Sequence, residues 1–232
     1  QAILKHAFEG KLTEDWRKTH KHEIEPASVL LERIKEERKK KGKYKELPPI
    51  DTSDLPELPE SWVWTRLGNI IFLSSERFNP TISENERFVG LKHIESNTGK
   101  LLGFGKSSET RSTKTRFGKG DLVYGKLRPY LNKVWVADFE GVCSTDILVF
   151  LKNDFTDNRY LSTMLLNSGF VEYTTQRMTG VQHPRISFRS LSKYVVPLPS
   201  LHEQYAIAVG IEQRFSVADE VEKVVEQTLK QS

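Results

Sequence analysis

Three stretches of this chain gather side chains able to hold an anion and to read a hydrogen-bonding edge. Lys126, Arg128, Tyr130 and Lys133 emerge around Pro129 within GKGDLVYGKLRPYLNK. Arg111 and Lys114 lie in KSSETRSTKTR, where serines and threonines add further donors to phosphate oxygens. Arg177, Gln182, His183 and Arg185 occupy RMTGVQHPRISFR, in which Gly180 frees the backbone. Lys92 and His93, ahead of the Asn97-Thr98-Gly99 turn, form a weaker fourth group. The chemistry on offer is recognition. Glutamine can pair bidentately with adenine and arginine with guanine in a major groove, each worth about 1–3 kcal/mol of discrimination. Every group also has a plainer reading: Tyr130 and Leu131 as core with the bases merely exposed, the serine-rich stretch as an ordinary loop, His93 as a satisfied core histidine.

Bond-making chemistry has no comparable support. The nearest approach to a methyltransferase motif is Asn79-Pro80-Thr81, which lacks the second proline and the aromatic. A nuclease would need clustered carboxylates to hold metal ions, and Glu9-Gly10-Lys11 has no acidic partner in sight. His20 and His22 have no third clustered ligand to complete a metal site. The reading is of a chain that is not an enzyme on its own.

Charge is distributed unevenly. Residues 1–45 carry 13 Lys+Arg against 8 Asp+Glu, and residues 46–60 carry 5 acids and no base. Residues 61–200 carry 19 bases against 12 acids, and residues 201–232 carry 3 against 6. The positive excess of the middle points to an anionic partner, nucleic acid first. A single cysteine, Cys143, excludes an intramolecular disulfide and suits a reducing cytoplasm. No apolar run approaches the roughly 20 residues of a membrane span. Hydrophobic content of 37% allows a packed core, while the mean hydropathy of −0.50 assigns much of the chain to surface.

The elements that must position these residues fall into four parts. Residues 1–45 read as a helical segment and a short basic helix over Pro26 to Lys41, with Leu30, Leu31 and Ile34 on its apolar side and Gly42 as its stop. Residues 46–61, with Pro48, Pro49, Pro56 and Pro59, read as an extended connector. Residues 62–196 read as a mixed domain with strands over Ile70–Leu73, Phe88–Ile94, Asp121–Tyr124, Lys133–Val136 and Ile147–Leu151 and a helix over Asp157–Phe170. Residues 197–232 read as one long helix after Pro197 and Pro199, which stop what precedes them. Its apolar stripe is Ile207, Ile211, Phe215, Ala218, Val221, Val225 and Leu229. A stripe so narrow wants a partner helix, and Ile3, Leu4, Ala7, Phe8 and Leu12 offer a matching face. Both ends look like cuts through helices, so the expectation is one piece of a larger or repeating protein.

Three separated runs, covering nearly the whole chain in consistent order, carry a resemblance. Pro197-Leu198-Pro199-Ser200-Leu201-His202-Glu203-Gln204 resembles the conserved-region motif that opens a long helix in type I restriction–modification specificity subunits. Ala2-Ile3-Leu4-Lys5-His6-Ala7-Phe8-Glu9-Gly10-Lys11-Leu12 is similar to the motif that ends such a helix. Leu58-Pro59-Glu60-Ser61-Trp62-Val63-Trp64, followed by Arg66-Leu67-Gly68, resembles the entry to that family's target-recognition domain. The family usually carries two recognition domains and two helical regions, and this chain holds one of each. The resemblance implies an α+β fold: a globular mixed α/β target-recognition domain with long helices forming a coiled-coil-like strut. It implies recognition of one half of a bipartite double-stranded DNA site and docking of a methyltransferase subunit that binds S-adenosylmethionine. A restriction subunit would join the full complex, and the strut would pair with its other half or a second copy. The rival reading is a protein-interaction scaffold that binds no DNA.

Overall fold

The computed structural model describes residues 2–42, 47–79, 86–109 and 112–231, and their side chains except those of 109, 219, 222–224, 226 and 229–231. Helices α1 (Ala2–Phe8), α2 (Glu14–Thr19) and α3 (Ala27–Lys40) precede the strands. The middle of the chain supplies β1 (Val63–Arg66), α4 (Leu67–Ile70), β2 (Arg77–Phe78), β3 (Arg87–Val89), β4 (Gly105–Lys106), β5 (Lys114–Phe117), β6 (Leu122–Gly125), β7 (Val134–Val136), β8 (Gly141–Ser144) and β9 (Ile147–Phe150). Helices α5 (Asn158–Leu165), α6 (Ser168–Gln176) and α7 (Phe188–Leu191), strand β10 (Val195–Leu198) and helix α8 (Leu201–Gln231) complete it.

The strands make three sheets. A mixed five-stranded sheet runs β2-β5-β8-β3-β4, an antiparallel three-stranded sheet runs β7-β6-β9, and β1 pairs with β10. Alternation along β6 decides the layering. Leu122 and Tyr124 face the helices, packing in one core with Phe150, Leu161, Leu165 and Phe170. Val123 faces the larger sheet, in a second core with Val89, Phe117, Trp135, Cys143 and Val149. The small sheet is thus buried on both faces, the middle of three layers. Cys143 lies inside, and burial pushes its thiol up to about 12, which leaves it inert.

The helical core does not stop at the connector. Leu4, Ala7, Ala27, Leu30 and Ile34 are buried in the same cluster as Ile70, Leu198, Ile207 and Ile211. The basic end of α3 is not merely a solvated face: Arg38 donates to the Ile71 carbonyl at 2.5 Å and lies over the Phe72 ring.

Several element assignments differ from the sequence reading. Ile70 to Leu73 is not a strand; Leu67–Ile70 is a helical turn, and only Leu73 bridges, to Phe150. The run Phe88 to Ile94 breaks after Val89 into a 3-10 turn. One helix over Asp157–Phe170 is two, because Asn167 caps a second through the Gly169 N–H. Pro197 does not end regular structure: it pairs with Trp64 in a two-stranded ribbon, where a missing donor can face outward.

That ribbon joins the two ends of the mixed strand-and-helix domain. Leu67 N–H donates to the Tyr194 carbonyl and Gly68 N–H to the Ser192 carbonyl, both at 2.8 Å. Gly68 is tight against Ser192, where an added Cβ would sit 2.5 Å from the serine Cβ and 2.9 Å from its carbonyl oxygen. Gly68→Ala is therefore expected to cost about 1–3 kcal/mol through overpacking. Thermal melting by circular dichroism would register it as a lower midpoint, and an unchanged midpoint would show that the 192 turn gives way.

Helix α8 is 31 residues long, roughly 45 Å. Its first turns are buried through Glu203, Gln204, Ile207, Ala208 and Ile211. Beyond them Phe215, Val221 and Val225 are exposed, at 41%, 56% and 50%. The N-terminal helices touch α8 at its base and do not run along this stripe. Among the described residues no helix is long and apolar enough to cross a membrane.

Candidate nucleic-acid interface

Four loops are laced together at one end of the small sheet. Gly125 N–H donates to the Lys133 carbonyl at 2.8 Å as β6 leaves the sheet, so the chain crosses from 126 to 132 as a tight excursion. Within it Arg128 and Asn132 are both left-handed and flank a 3-10 turn started by Pro129. The 179–186 loop joins from one side. Arg128 N–H donates to the Pro184 carbonyl at 2.7 Å and Ile186 N–H to the Lys126 carbonyl at 3.0 Å. Thr179 and Arg185 exchange backbone hydrogen bonds, closing a turn that needs Gly180 at a φ of 98°. The β8–β9 turn joins through Lys126 N–H, which donates to the Asp146 carbonyl at 2.9 Å. From the other side Asn97 N–H donates to the Asn132 carbonyl, and Lys133 Nζ to the Ile94 carbonyl.

Positions named from the sequence divide accordingly. Lys126, Arg128, Gln182 and His183 make no side-chain hydrogen bond or ion pair among the described residues, so their donors remain for a ligand. Arg128, Gln182, His183 and Arg185 are exposed, and Tyr130 is 42% exposed rather than core. Arg185 is held: its Nε donates to Asp146 Oδ1 at 2.9 Å and its Nη1 to the His183 carbonyl at 3.2 Å. Lys133 is half-buried and spends its ammonium on Ile94. Lys92 is exposed on the neighbouring loop. His93 is half-buried, accepts the Gly90 N–H on Nδ1 and meets the Phe88 ring edge-on.

Two assignments change. Lys114 is fully buried, with its ammonium donating to the Ser112 carbonyl and hydroxyl and lying over Phe88. Burial lowers its pKa, and its ammonium is taken up by Ser112 rather than offered to a ligand. Arg177 stacks on Tyr173, its guanidinium 3.9 Å from the ring centroid. It lines an apolar groove of about 880 Å³ with Phe8, Trp64, Tyr173, Lys193 and Tyr194, not the laced loops. Arg111, with Pro80 and Thr81 of the discarded methyltransferase-like run, lies outside the described residues.

The sequence reading missed Asp146. A lone acid in a Ser-Thr-Asp turn carries no signal until the fold brings Arg185, 39 positions away, to its carboxylate. It also missed what the family-like motifs do. Glu203 is fully buried and accepts from Thr13 Oγ1 at 2.6 Å, Arg17 Nη1 at 2.5 Å and Trp62 Nε1 at 2.8 Å. Gln204 accepts the Asp157 N–H that begins α5 and donates to the Pro199 carbonyl. Arg66 clamps the connector through the carbonyls of Pro48 and Pro49. These motif residues set where α8 leaves the domain.

A family model described as the type I restriction modification DNA specificity domain matches residues 59–231. The specificity subunit of the EcoDI type I restriction enzyme of Escherichia coli is 33% identical over 231 residues, covering 99% of this chain and 48% of the relative. That of the EcoAI enzyme of Escherichia coli is 29% identical over 248 residues, covering 96% and 40%. The chain thus spans about half the length of the curated relatives it matches. The crystal structure of the HsdS subunit from Thermoanaerobacter tengcongensis superposes with a TM-score of 0.68 at 24% identity, covering 78% of this chain and 48% of that one. A structure described as the basis of complex assembly and conformational transition of the type I R-M system superposes with a TM-score of 0.65 at 26% identity, covering 75% and 47%.

Proposed function

The chain belongs to the type I restriction–modification DNA specificity family, and from that premise we propose that it reads one half of a bipartite double-stranded DNA site. The observation that carries the proposal is the lacing of the 126–133, 146 and 179–186 loops, which gathers Lys126, Arg128, Gln182, His183 and Arg185 from distant parts of the sequence. Lysine and arginine at the loop bases neutralise phosphates, while glutamine, histidine and arginine on the 179–185 turn meet base edges. The chain performs no bond-making step. A methyltransferase subunit that binds S-adenosylmethionine docks on the helical framework, and a restriction subunit joins the complete assembly in the cytoplasm. The uncovered stripe of α8, Phe215, Val221 and Val225, pairs with a second helix from another half or another copy and sets the distance between half-sites.

Fluorescence anisotropy with random duplexes tests the first step. Neutralising about two phosphates gives a log–log salt slope of roughly −2. Absence of binding at low salt, or a slope near zero, would remove DNA from the reading. A second reading, a scaffold that recruits proteins and leaves DNA alone, draws on the same α8 stripe. It predicts assembly that is indifferent to the laced loops.

A further inference from the structure

Resting on the DNA-reading function above, we propose that Asp146 is a positioning residue that fixes Arg185 for reading a guanine. Asp146 is itself anchored: its carbonyl accepts Lys126 N–H at 2.9 Å and its N–H donates to Ser144 Oγ at 3.2 Å. The backbone that carries Arg185 is tied to that of Lys126 and Arg128 by the Ile186 and Arg128 hydrogen bonds. Carboxylate and guanidinium are therefore held to each other through both main chain and side chain. A free arginine gives up its rotamer freedom when it meets a base. Arg185 has given up much of it already, because Nε is on Asp146 and Nη1 on the His183 carbonyl. Nη2 makes no bond among the described residues, so it and the second Nη1 hydrogen remain as a pair of donors of the kind that suits the O6 and N7 acceptors of guanine.

The carboxylate also selects the kind of partner. Placed 2.9 Å from Arg185 Nε, it offsets the local positive charge and would repel an approaching phosphate. A guanine edge carries no net charge and meets no such repulsion. The pair is thus suited to a base and unsuited to the backbone, unlike Lys126 and Arg128, which lack an acidic partner among the described residues.

The experiment is sequence enrichment from a randomised duplex library by the whole chain, its Asp146→Ala and Asp146→Asn variants, Arg185→Ala, and the double alanine variant. The expected result is a guanine in the parent's site whose enrichment Arg185→Ala abolishes and Asp146→Ala lowers roughly tenfold, with other positions retained. The double variant should match Arg185→Ala at that position, and the isosteric Asp146→Asn should fall between parent and alanine. At low salt Asp146→Ala should bind random duplexes at least as tightly as the parent, since it removes a negative charge. Loss of preference at every position together, in the asparagine as in the alanine variant, would show a merely structural role and overturn the proposal. So would a guanine preference untouched by either Asp146 variant while Arg185→Ala removes it. A parent chain that enriches no sequence would overturn the DNA-reading function itself.

Discussion

Glu203→Ala is expected to lower the stability of the chain by about 3–5 kcal/mol, the range for breaking a buried pair by removing one partner. The carboxylate is fully buried and is the shared acceptor for Thr13, Arg17 and Trp62. Its removal leaves the Arg17 guanidinium, 16% exposed at its side chain, with the Thr13 hydroxyl and the Gly10 carbonyl as its hydrogen-bond partners among the described residues and no charge opposite it there. It also orphans the Trp62 indole N–H, whose ring is 4% exposed. For a chain of this length each kcal/mol moves the melting midpoint by about 2–4 °C, so a fall of about 10 °C is the expected reading. Glu203→Gln, which keeps an acceptor but no charge opposite Arg17, should fall between the two. Arg17→Ala combined with Glu203→Ala should cost less than the sum of the single changes, since each alone strands the other's partner. A single-variant midpoint within 2 °C of the parent would mean that apolar packing alone holds the N-terminal segment, Trp62 and α8 together.

This buried junction shows what was legible in the sequence and what was not. The run containing His202-Glu203-Gln204 stands out as a motif, and a helix after Pro199 follows from its 3–4 spacing. That Glu203 accepts from residues 141 and 190 positions away could not be read, because hydrogen-bond partners of that separation are set by the fold. Strands β6, β7 and β9 were legible, since β-branched and aromatic runs bounded by turn residues mark them. Strands β5 and β8 were not. KTRF and GVCS are short and carry polar, glycine or small residues, and they are strands only because each finds the other. The same limit governed the interface. Residue type suggested Lys114 as readily as Lys126, yet one is folded over Phe88 and bonded to Ser112 at the start of β5 while the other leaves β6 at its end. Basic composition marks a domain that meets an anion; which base reaches the surface is decided by strand register, and a slip of one residue inverts it.

Register therefore also says which charges to remove, and Arg128→Ala with Arg185→Ala is the decisive pair. Arg128 is exposed and makes no side-chain bond among the described residues. Its removal should leave the fold unaffected. Arg185 is 44% exposed at its side chain and loses one ion pair with Asp146, an interaction that near the surface is worth about 0–1 kcal/mol. The melting midpoint of the double variant should accordingly stay within about 2–4 °C of the parent. DNA binding should respond on another scale. Two cations withdrawn from the same laced surface remove up to two phosphate or base contacts. At about tenfold for each, duplex affinity at low salt should fall roughly 100-fold, and the log–log salt slope should flatten by about 1, the share of Arg128. Arg214→Ala, an exposed arginine on α8 that donates to the Gly210 carbonyl, serves as the control and should leave affinity unchanged. Partner assembly, measured by sedimentation of the mixed subunits, should be the same for parent and double variant, because α8 and the buried Glu203 junction lie outside the altered loops. A scaffold that ignores DNA predicts no difference between the control and the double variant in any of these measurements. Equal duplex affinity for parent and double variant would end the assignment of the 126–133 and 179–186 loops to DNA. Loss of assembly alongside DNA binding would instead place these loops in the protein–protein contact.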